Sequence, residues 1–345
     1  MRSCFEMVDF IVQAKAGREF RILQITDTQI IDPGQSRYPE RINNMMPLSD
    51  EQLYADCFYY IEKAVEAAKP DLILMTGDNV YGEFDDSGAS LQKLIAFMEG
   101  FRIPWAPVFG NHDNESTKGV AWQCRQYEEA EHCLFKRGEV TGNSNYTIGI
   151  EQGGKLIKVI YMMDSNGCSN GKSFSYWPEF GTYNQEEKMR TDYGFGEDQL
   201  KWLVDSCNQI GEEASKFVAF HVPIWEYWDA AIAKGYPVGD GSAKFVIDDP
   251  TGVDFGAKYE NFGMMAAPGF WELLKKHNFD GVFVGHCHIN SLSMLYDGIR
   301  LTYGLKTSRF DYHREDMLGG TLVTIAEGGE NFQVRHIYVE ELGAE

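Results

Sequence analysis

The sequence predicts an α/β protein with mixed sheets. Over the first 136 residues, short Ile-, Leu- and Val-rich runs alternate with longer helical stretches. Most of the short runs end in a small polar block containing Asp, Asn or His. From residue 293 onward the chain alternates between strand-like runs and turns, as antiparallel hairpins do.

In chain order, Glu19–Thr26 predicts a strand ending at Asp27, and 33–47 a polar loop. Ser49 with Gln52 forms a capping-box pattern that opens a helix over Asp50–Lys69. Leu53, Cys57, Tyr60, Ile61, Ala64 and Val65 share one face of that helix, and Pro70 stops it. Asp71–Thr76 is a buried strand, Ala89–Glu99 a helix, Pro104–Phe109 a strand and Thr117–Lys136 a helix. Asn145–Ile150 and Leu156–Met163 pair as a hairpin across Gly153 and Gly154. Helices follow at Glu197–Ile210 and Pro268–His277, and strands at Lys216–Phe220 and Gly281–Val284. The tail from Ser293 to Val339 predicts three or four antiparallel strands. Two long Gly- and aromatic-rich connections, 165–196 and 229–264, flank polar blocks and are expected to be lid-like insertions in one domain spanning 1–345.

A formal net charge of −21 argues against a sequence-independent nucleic-acid binder and against docking on an anionic membrane. It does not exclude a small phosphorylated substrate, because bound metal ions dominate the field around them. The seven cysteines form no CxxC pair, so a disulfide framework is not expected. Glu6, Asp9 and Gln13 interrupt the N-terminal apolar residues, and no segment approaches the ~20 apolar residues of a membrane span. A cytoplasmic location is the expectation.

The polar blocks are Asp27-Thr28-Gln29, Gly77-Asp78-Asn79, Gly110-Asn111-His112-Asp113 and Gly285-His286-Cys287-His288, with His221 standing alone before the last. In an α/β sheet, residues just beyond the carboxyl ends of strands converge. Carboxylates are hard donors able to bridge two cations, and imidazole suits zinc, iron and manganese. A metal pair about 3.5–4 Å apart is a device for displacing oxygen at phosphorus. His286 and His288, at i and i+2, face one direction if the segment is extended, with Cys287 turned away.

This set resembles the calcineurin-like metallophosphoesterase superfamily, whose pattern is D-x-H, G-D, G-N-H-[D/E], an isolated H, then G-H-x-H. The resemblance covers roughly residues 20 to 305. It implies one domain folded as a four-layer αββα sandwich with two mixed central sheets. It also implies two metal ions (iron, manganese or zinc), with Asp78 bridging them. Asp27 and His288 would hold the first ion, and Asn111, His221 and His286 the second. His112, oriented by Asp113, would donate a hydrogen bond or proton near the leaving oxygen. The implied activity is attack of a metal-held hydroxide on a phosphate ester. The alternatives are a phosphodiesterase acting on cyclic nucleotides or other diesters, and a non-catalytic metal-binding scaffold.

Gln29 departs from the pattern, which has histidine there. Either Gln29 or Tyr81 would complete the first metal position. Gly77-Asp78-Asn79-Val80-Tyr81 fits the GDxxY motif of purple acid phosphatases, whose tyrosine ligates iron. Asn114 and Glu115 are expected to cap the following helix. The aromatic groups Phe174/Tyr176/Trp177 and Trp225/Tyr227/Trp228 either wall the pocket or pack the connections. The cluster Arg309, Tyr312, His313 and Arg314 could steady a phosphate, but surface pairing with Asp311 and Glu315 is the expectation.

Overall fold

In the computed structural model, which describes residues 7–35, 49–85, 87–167 and 192–342, two large sheets face each other. The larger contains, in spatial order, β1 (Phe10–Gln13), β5 (Tyr146–Gln152), β6 (Lys155–Met162), β7 (Ser215–Ala219), β10 (Phe279–Val284), β12 (Ile299–Tyr303) and β11 (Ser293–Tyr296). The smaller contains β14 (Phe332–Tyr338), β13 (Gly319–Ile325), β2 (Phe20–Ile25), β3 (Leu72–Thr76) and β4 (Trp105–Val108). Both are mixed. β6, β7, β10 and β12 run parallel, as do β2, β3 and β4, while the outer hairpins are antiparallel.

The two-residue period of a strand sorts side chains between two cores. In β7, Phe217 and Ala219 enter the core shared with the smaller sheet, whereas Val218 enters the core beneath the outer helices. Phe217 is fully buried between Phe283, ring centroids 5.1 Å apart, and Phe332, at 4.7 Å. Burying one such side chain contributes about 1.5–3 kcal/mol.

The apolar faces of α1 (Asp50–Ala68), α2 (Ala89–Gly100) and α3 (Val120–Glu128) cover the smaller sheet and are continuous with its core. The opposite face of the larger sheet is covered by α4 (Glu197–Ile210), α5 (Glu226–Ala233) and α6 (Phe270–Lys276). The layers are therefore helix, sheet, sheet, helix, the α/β sandwich the motifs implied. A short helix, α7 (Val339–Leu342), ends the described chain.

The capping box of α1 is present. Ser49 Oγ accepts from Gln52 N at 3.4 Å, and Gln52 Oε1 accepts from Ser49 N at 2.9 Å. Lys69, in the left-handed region (φ 47°), and Pro70 end the helix.

Three expectations change. The helix predicted over 117–136 stops at Glu128, because a competing pairing takes the residues beyond it. Trp105 N donates to His132 O (3.1 Å) and Leu134 N to Trp105 O (2.7 Å), extending the edge of β4. Acidic residues 128, 129 and 131 also sit unfavourably at the negative end of a helix dipole. The connection 229–264 is not structureless. It begins inside α5 and contains a ribbon of β8 (Phe245–Val246) and β9 (Ala257–Lys258). Val238, Phe245, Ile247, Ala257 and Phe262 tie it to the outer core. The tail supplies four strands, but they divide between the sheets, and β12 lies parallel to β10.

Strand β1 had no counterpart in the sequence reading. It pairs parallel with β5 at the edge of the larger sheet. Most of 165–196, with Phe174, Tyr176 and Trp177, lies outside the described residues. Tyr227 is a packing residue whose hydroxyl donates to Thr302 O at 3.0 Å, and Trp228 packs on Phe262. No helix among the described residues is long and apolar enough to cross a membrane.

Candidate metal centre

Parallel strands carry their carboxyl ends to the same edge. Asp27 follows β2, Asp78 follows β3, Asn111 to Asp113 follow β4, His221 follows β7, and His286 and His288 follow β10. The two sheets therefore bring the blocks to one rim. Ligand atoms of Asp27, Asp78 and His288 all lie within 4.8 Å of one another. Alongside them, Asn111 Oδ1 lies 3.1 Å from His221 Nε2 and 2.9 Å from His286 Nδ1. Asp78 Oδ2 is 3.3 Å from His221 Nε2, so Asp78 touches both groups.

Missing side chains make this convergence possible. A Cβ on Gly285 would lie 2.0 Å from Thr26 Oγ1 and 2.8 Å from Asp27 Oδ2. A Cβ on Gly77 (φ 93°) would lie 2.6 Å from His221 Nδ1. The glycines let strand ends from opposite sheets approach one another. Gly285→Ala is accordingly expected to push β10 away from β2. It should lower the melting temperature by several degrees, an overpacking cost of about 1–3 kcal/mol, and weaken metal binding. Calorimetry with a metal titration checks both. An unchanged variant would mean that the rim is looser than these contacts require.

Four side chains of the blocks sit on left-handed backbone: Asp27 (φ 53°), Gln29 (φ 44°), Asp78 (φ 51°) and His286 (φ 72°). Strain of this kind is held in place by its surroundings and clusters at functional sites. Here backbone bonds hold it. Asp27 N donates to Gly77 O (3.1 Å), Gln29 N to Asp78 O (2.8 Å) and His286 N to Asp27 Oδ2 (3.0 Å).

Carbonyl acceptors orient two imidazoles. His221 Nδ1 donates to Thr76 O at 2.8 Å, turning Nε2 toward Asp78 and Asn111. His288 Nδ1 donates to Tyr312 O at 3.0 Å, turning Nε2 toward Asp27 Oδ1, 3.4 Å away. Outer partners of this sort set tautomer and ring angle in metal-binding histidines. Burial would raise the Asp78 carboxyl, yet the His221 and His112 imidazoles hold it well below the usual carboxylate range. Burial opposes protonation of His221 while Asp78 favours it, and the outcome is about 9. Burial and the neighbouring His221 push His286 down to about 3.

His112 lines the same cavity of about 270 Å³, together with Tyr193, Glu260, Asp311 and Tyr312. Its backbone N donates to Asp78 Oδ1 at 2.8 Å. The carboxylate beside its ring belongs to Glu115 rather than Asp113, with Nδ1 2.7 Å from Glu115 Oε2. Asp113 instead accepts from Gly110 N (2.7 Å) and Val80 N (2.9 Å), knitting two blocks together from below. A short 3₁₀ turn over Asp113–Glu115 causes the exchange. It brings residue 115 beneath the ring and turns 113 inward. The caps expected from Asn114 and Glu115 are absent: Glu115 serves His112, and Asn114 Nδ2 donates to Gly167 O at 2.5 Å.

Tyr81 is buried, with its ring edge-on to His112, centroids 4.3 Å apart. Gln29 Nε2 faces Asp78 Oδ2 at 3.3 Å, and Gln29 Oε1 accepts from Lys306 Nζ at 2.6 Å. Lys306, Glu115, Glu260 and Tyr193 were not among the sequence candidates. The one available signal for Lys306 was a lone cation in the otherwise uncharged run 304–308 just after a strand. It is buried and also donates to Asp27 O at 2.9 Å. Burial lowers its pKa, against the pull of Asp27, Asp311 and Asp78. Arg309 pairs with Asp56 and Glu315, and Arg314 with Asp316, so these cations are engaged at the surface.

The donor set suits cations. Asp27 Oδ1 is buried without a hydrogen-bond partner. Asp78 Oδ2 and Asn111 Oδ1, both acceptors, crowd the same imidazole nitrogen of His221. A buried acceptor without a donor is costly, and a bound cation satisfies several at once. Asp27, Asp78 and His288 could hold one ion, and Asp78, Asn111, His221 and His286 another.

The chain is similar to several known proteins. A family model described as calcineurin-like phosphoesterase matches residues 20–290. The chain is 25% identical over 311 residues to a protein named probable inactive purple acid phosphatase 29 from Arabidopsis thaliana, covering 86% of this chain and 72% of that one. It is 26% identical over 260 residues to phosphatase DCR2 of Saccharomyces cerevisiae, covering 71% of this chain and 41% of the relative. Among solved structures it aligns with purple acid phosphatase PPD1 from yellow lupin, with a TM-score of 0.49 and 12% identity over 94% of this chain and 52% of that one.

Proposed function

Because the chain belongs to the calcineurin-like phosphoesterase family, we propose that it is a dinuclear metal-dependent phosphatase acting on a small phosphorylated substrate. One observation carries the reading. Two donor groups, Asp27/Asp78/His288 and Asp78/Asn111/His221/His286, share a carboxylate at the rim of a cavity that His112 also lines. A bound pair of iron, manganese or zinc ions supplies Lewis acidity, a nucleophile at neutral pH and a local positive surplus for the phosphate. The chain's own residues hold and orient that pair and serve the leaving group. His112, with Nδ1 engaged by Glu115, offers Nε2 as the nitrogen that donates to the departing oxygen.

The test compares initial rates on an aryl phosphate monoester and an aryl diester, with added Mn²⁺ and with a chelator. The monoester is expected to be hydrolysed faster, and the chelator to abolish turnover. A faster diester would move the assignment to phosphodiesterase. Failure on both esters by metal-loaded protein would leave the scaffold reading. Engagement of the Gln29 oxygen by Lys306 favours that reading, and the intact His112–Glu115 pair opposes it.

A further inference from the structure

We infer that the chain binds its two metal ions with unequal affinity, because Lys306 has taken the oxygen that Gln29 would otherwise offer to the Asp27/Asp78/His288 position. The inference rests on the dinuclear reading above and concerns what this chain's own residues do to it.

The amide of Gln29 has one ligating atom, Oε1. That atom accepts from Lys306 Nζ at 2.6 Å, and the amide NH₂ faces Asp78 Oδ2 at 3.3 Å. An NH₂ group has only protons to present and cannot ligate a cation. Lys306 is held in place on a second side, donating to Asp27 O at 2.9 Å. Its backbone is pinned as well, because Lys306 bridges Thr26 and Gly319 N donates to Lys306 O at 3.0 Å. Leaving would cost the lysine both acceptors and reduce the Asp27 carbonyl to a 3.4 Å bond from Ser308 Oγ, so the amide is held donor-inward. Among the described residues the Asp27/Asp78/His288 position therefore gathers three carboxylate or imidazole ligands, with the Gln29 NH₂ directed at the shared carboxylate and the Tyr81 ring packed on His112. The other position has four: Asp78, Asn111, His221 and His286. It should fill first and hold its ion more tightly. Occupancy of the weaker position, and with it turnover, would then follow the free metal concentration.

The probe is Mn²⁺, titrated by calorimetry into the full chain after chelator treatment. Wild type is expected to show two steps separated by about tenfold or more. Gln29→Glu keeps an oxygen for Lys306 and places a second where the NH₂ stood. It should tighten the weaker step by about 10–100-fold, the usual reach of a side chain that orients metal ligands, and leave the tighter step unchanged. It should also lower the melting temperature of metal-free protein, because a third carboxylate joins Asp27 and Asp78. Lys306→Met releases the amide to rotate and should tighten the same step. If that variant does not fold, Gln29→Glu still decides, since it preserves the lysine's acceptor. Two indistinguishable steps in wild type would overturn the inference and leave the dinuclear reading standing. So would a folded Gln29→Glu whose steps match those of wild type. Absence of any Mn²⁺ binding would overturn both.

Discussion

His112→Ala is expected to lower kcat by about 10²–10⁴-fold, the usual contribution of a positioned acid or base, with the metal content of the purified protein unchanged. The ring lines the cavity beside Asp78, Asn111, His286 and His288, yet its Nδ1 is spoken for by Glu115 at 2.7 Å. The tie to Asp78 runs through the backbone N at 2.8 Å, which alanine retains. Truncation therefore removes the imidazole and its electrostatic pull on Asp78, while the backbone bond to the shared carboxylate and the pull of His221 remain. Metal analysis beside steady-state kinetics separates the outcomes. Loss of metal together with activity would make His112 a ligand, contrary to this assignment. Glu115→Gln provides a graded companion. It keeps an oxygen near Nδ1 but removes the charge, so a smaller loss is expected than for His112→Ala, again without loss of metal.

Asp78→Asn is expected to empty both metal positions together and to abolish turnover. One Asp78 oxygen lies 3.3 Å from both His221 Nε2 and Gln29 Nε2, and the other accepts from His112 N. Asparagine removes the negative charge and turns one of the two oxygens into an NH₂ among groups that already carry protons. By contrast Asp27→Asn, whose one hydrogen bond to the other group is an oxygen accepting from His286 N that asparagine can keep, should empty one position and spare the other. Element analysis of the purified variants reads both results. If Asp78→Asn lost a single ion, the carboxylate would not be shared.

The order of the polar blocks was readable along the chain because each follows a buried strand, and strand ends are where an α/β fold presents its ligands. Asp27, Asp78, Asn111, His221 and His286 were named on that ground, His288 by its spacing from His286, and their ligand roles by the family resemblance. Helix α1 was legible to its caps, since Ser49, Gln52 and Pro70 act through their immediate neighbours. The end of α3 was not. Residues beyond Glu128 pair with Trp105, more than twenty positions away, and no local propensity reports that partner. Glu115 was misassigned for a related reason. Whether residue 113 or 115 reaches the imidazole depends on one 3₁₀ turn, and both are acidic.

The chain's pattern of residue types was enough to settle the α/β class, the strand ends and the acid, amide and imidazole donors gathered there. These follow from periodicity and from what each side chain can chemically donate or accept. Contacts between distant segments were decided only in three dimensions. Lys306 lies 277 positions from Gln29, yet it points the amide's oxygen away from the neighbouring carboxylates. Gly285 and Thr26 meet because two sheets pack closely enough to exclude a single methyl group. Packing geometry and the pairing of buried polar groups set such encounters, and neither leaves a local mark in the order of residues.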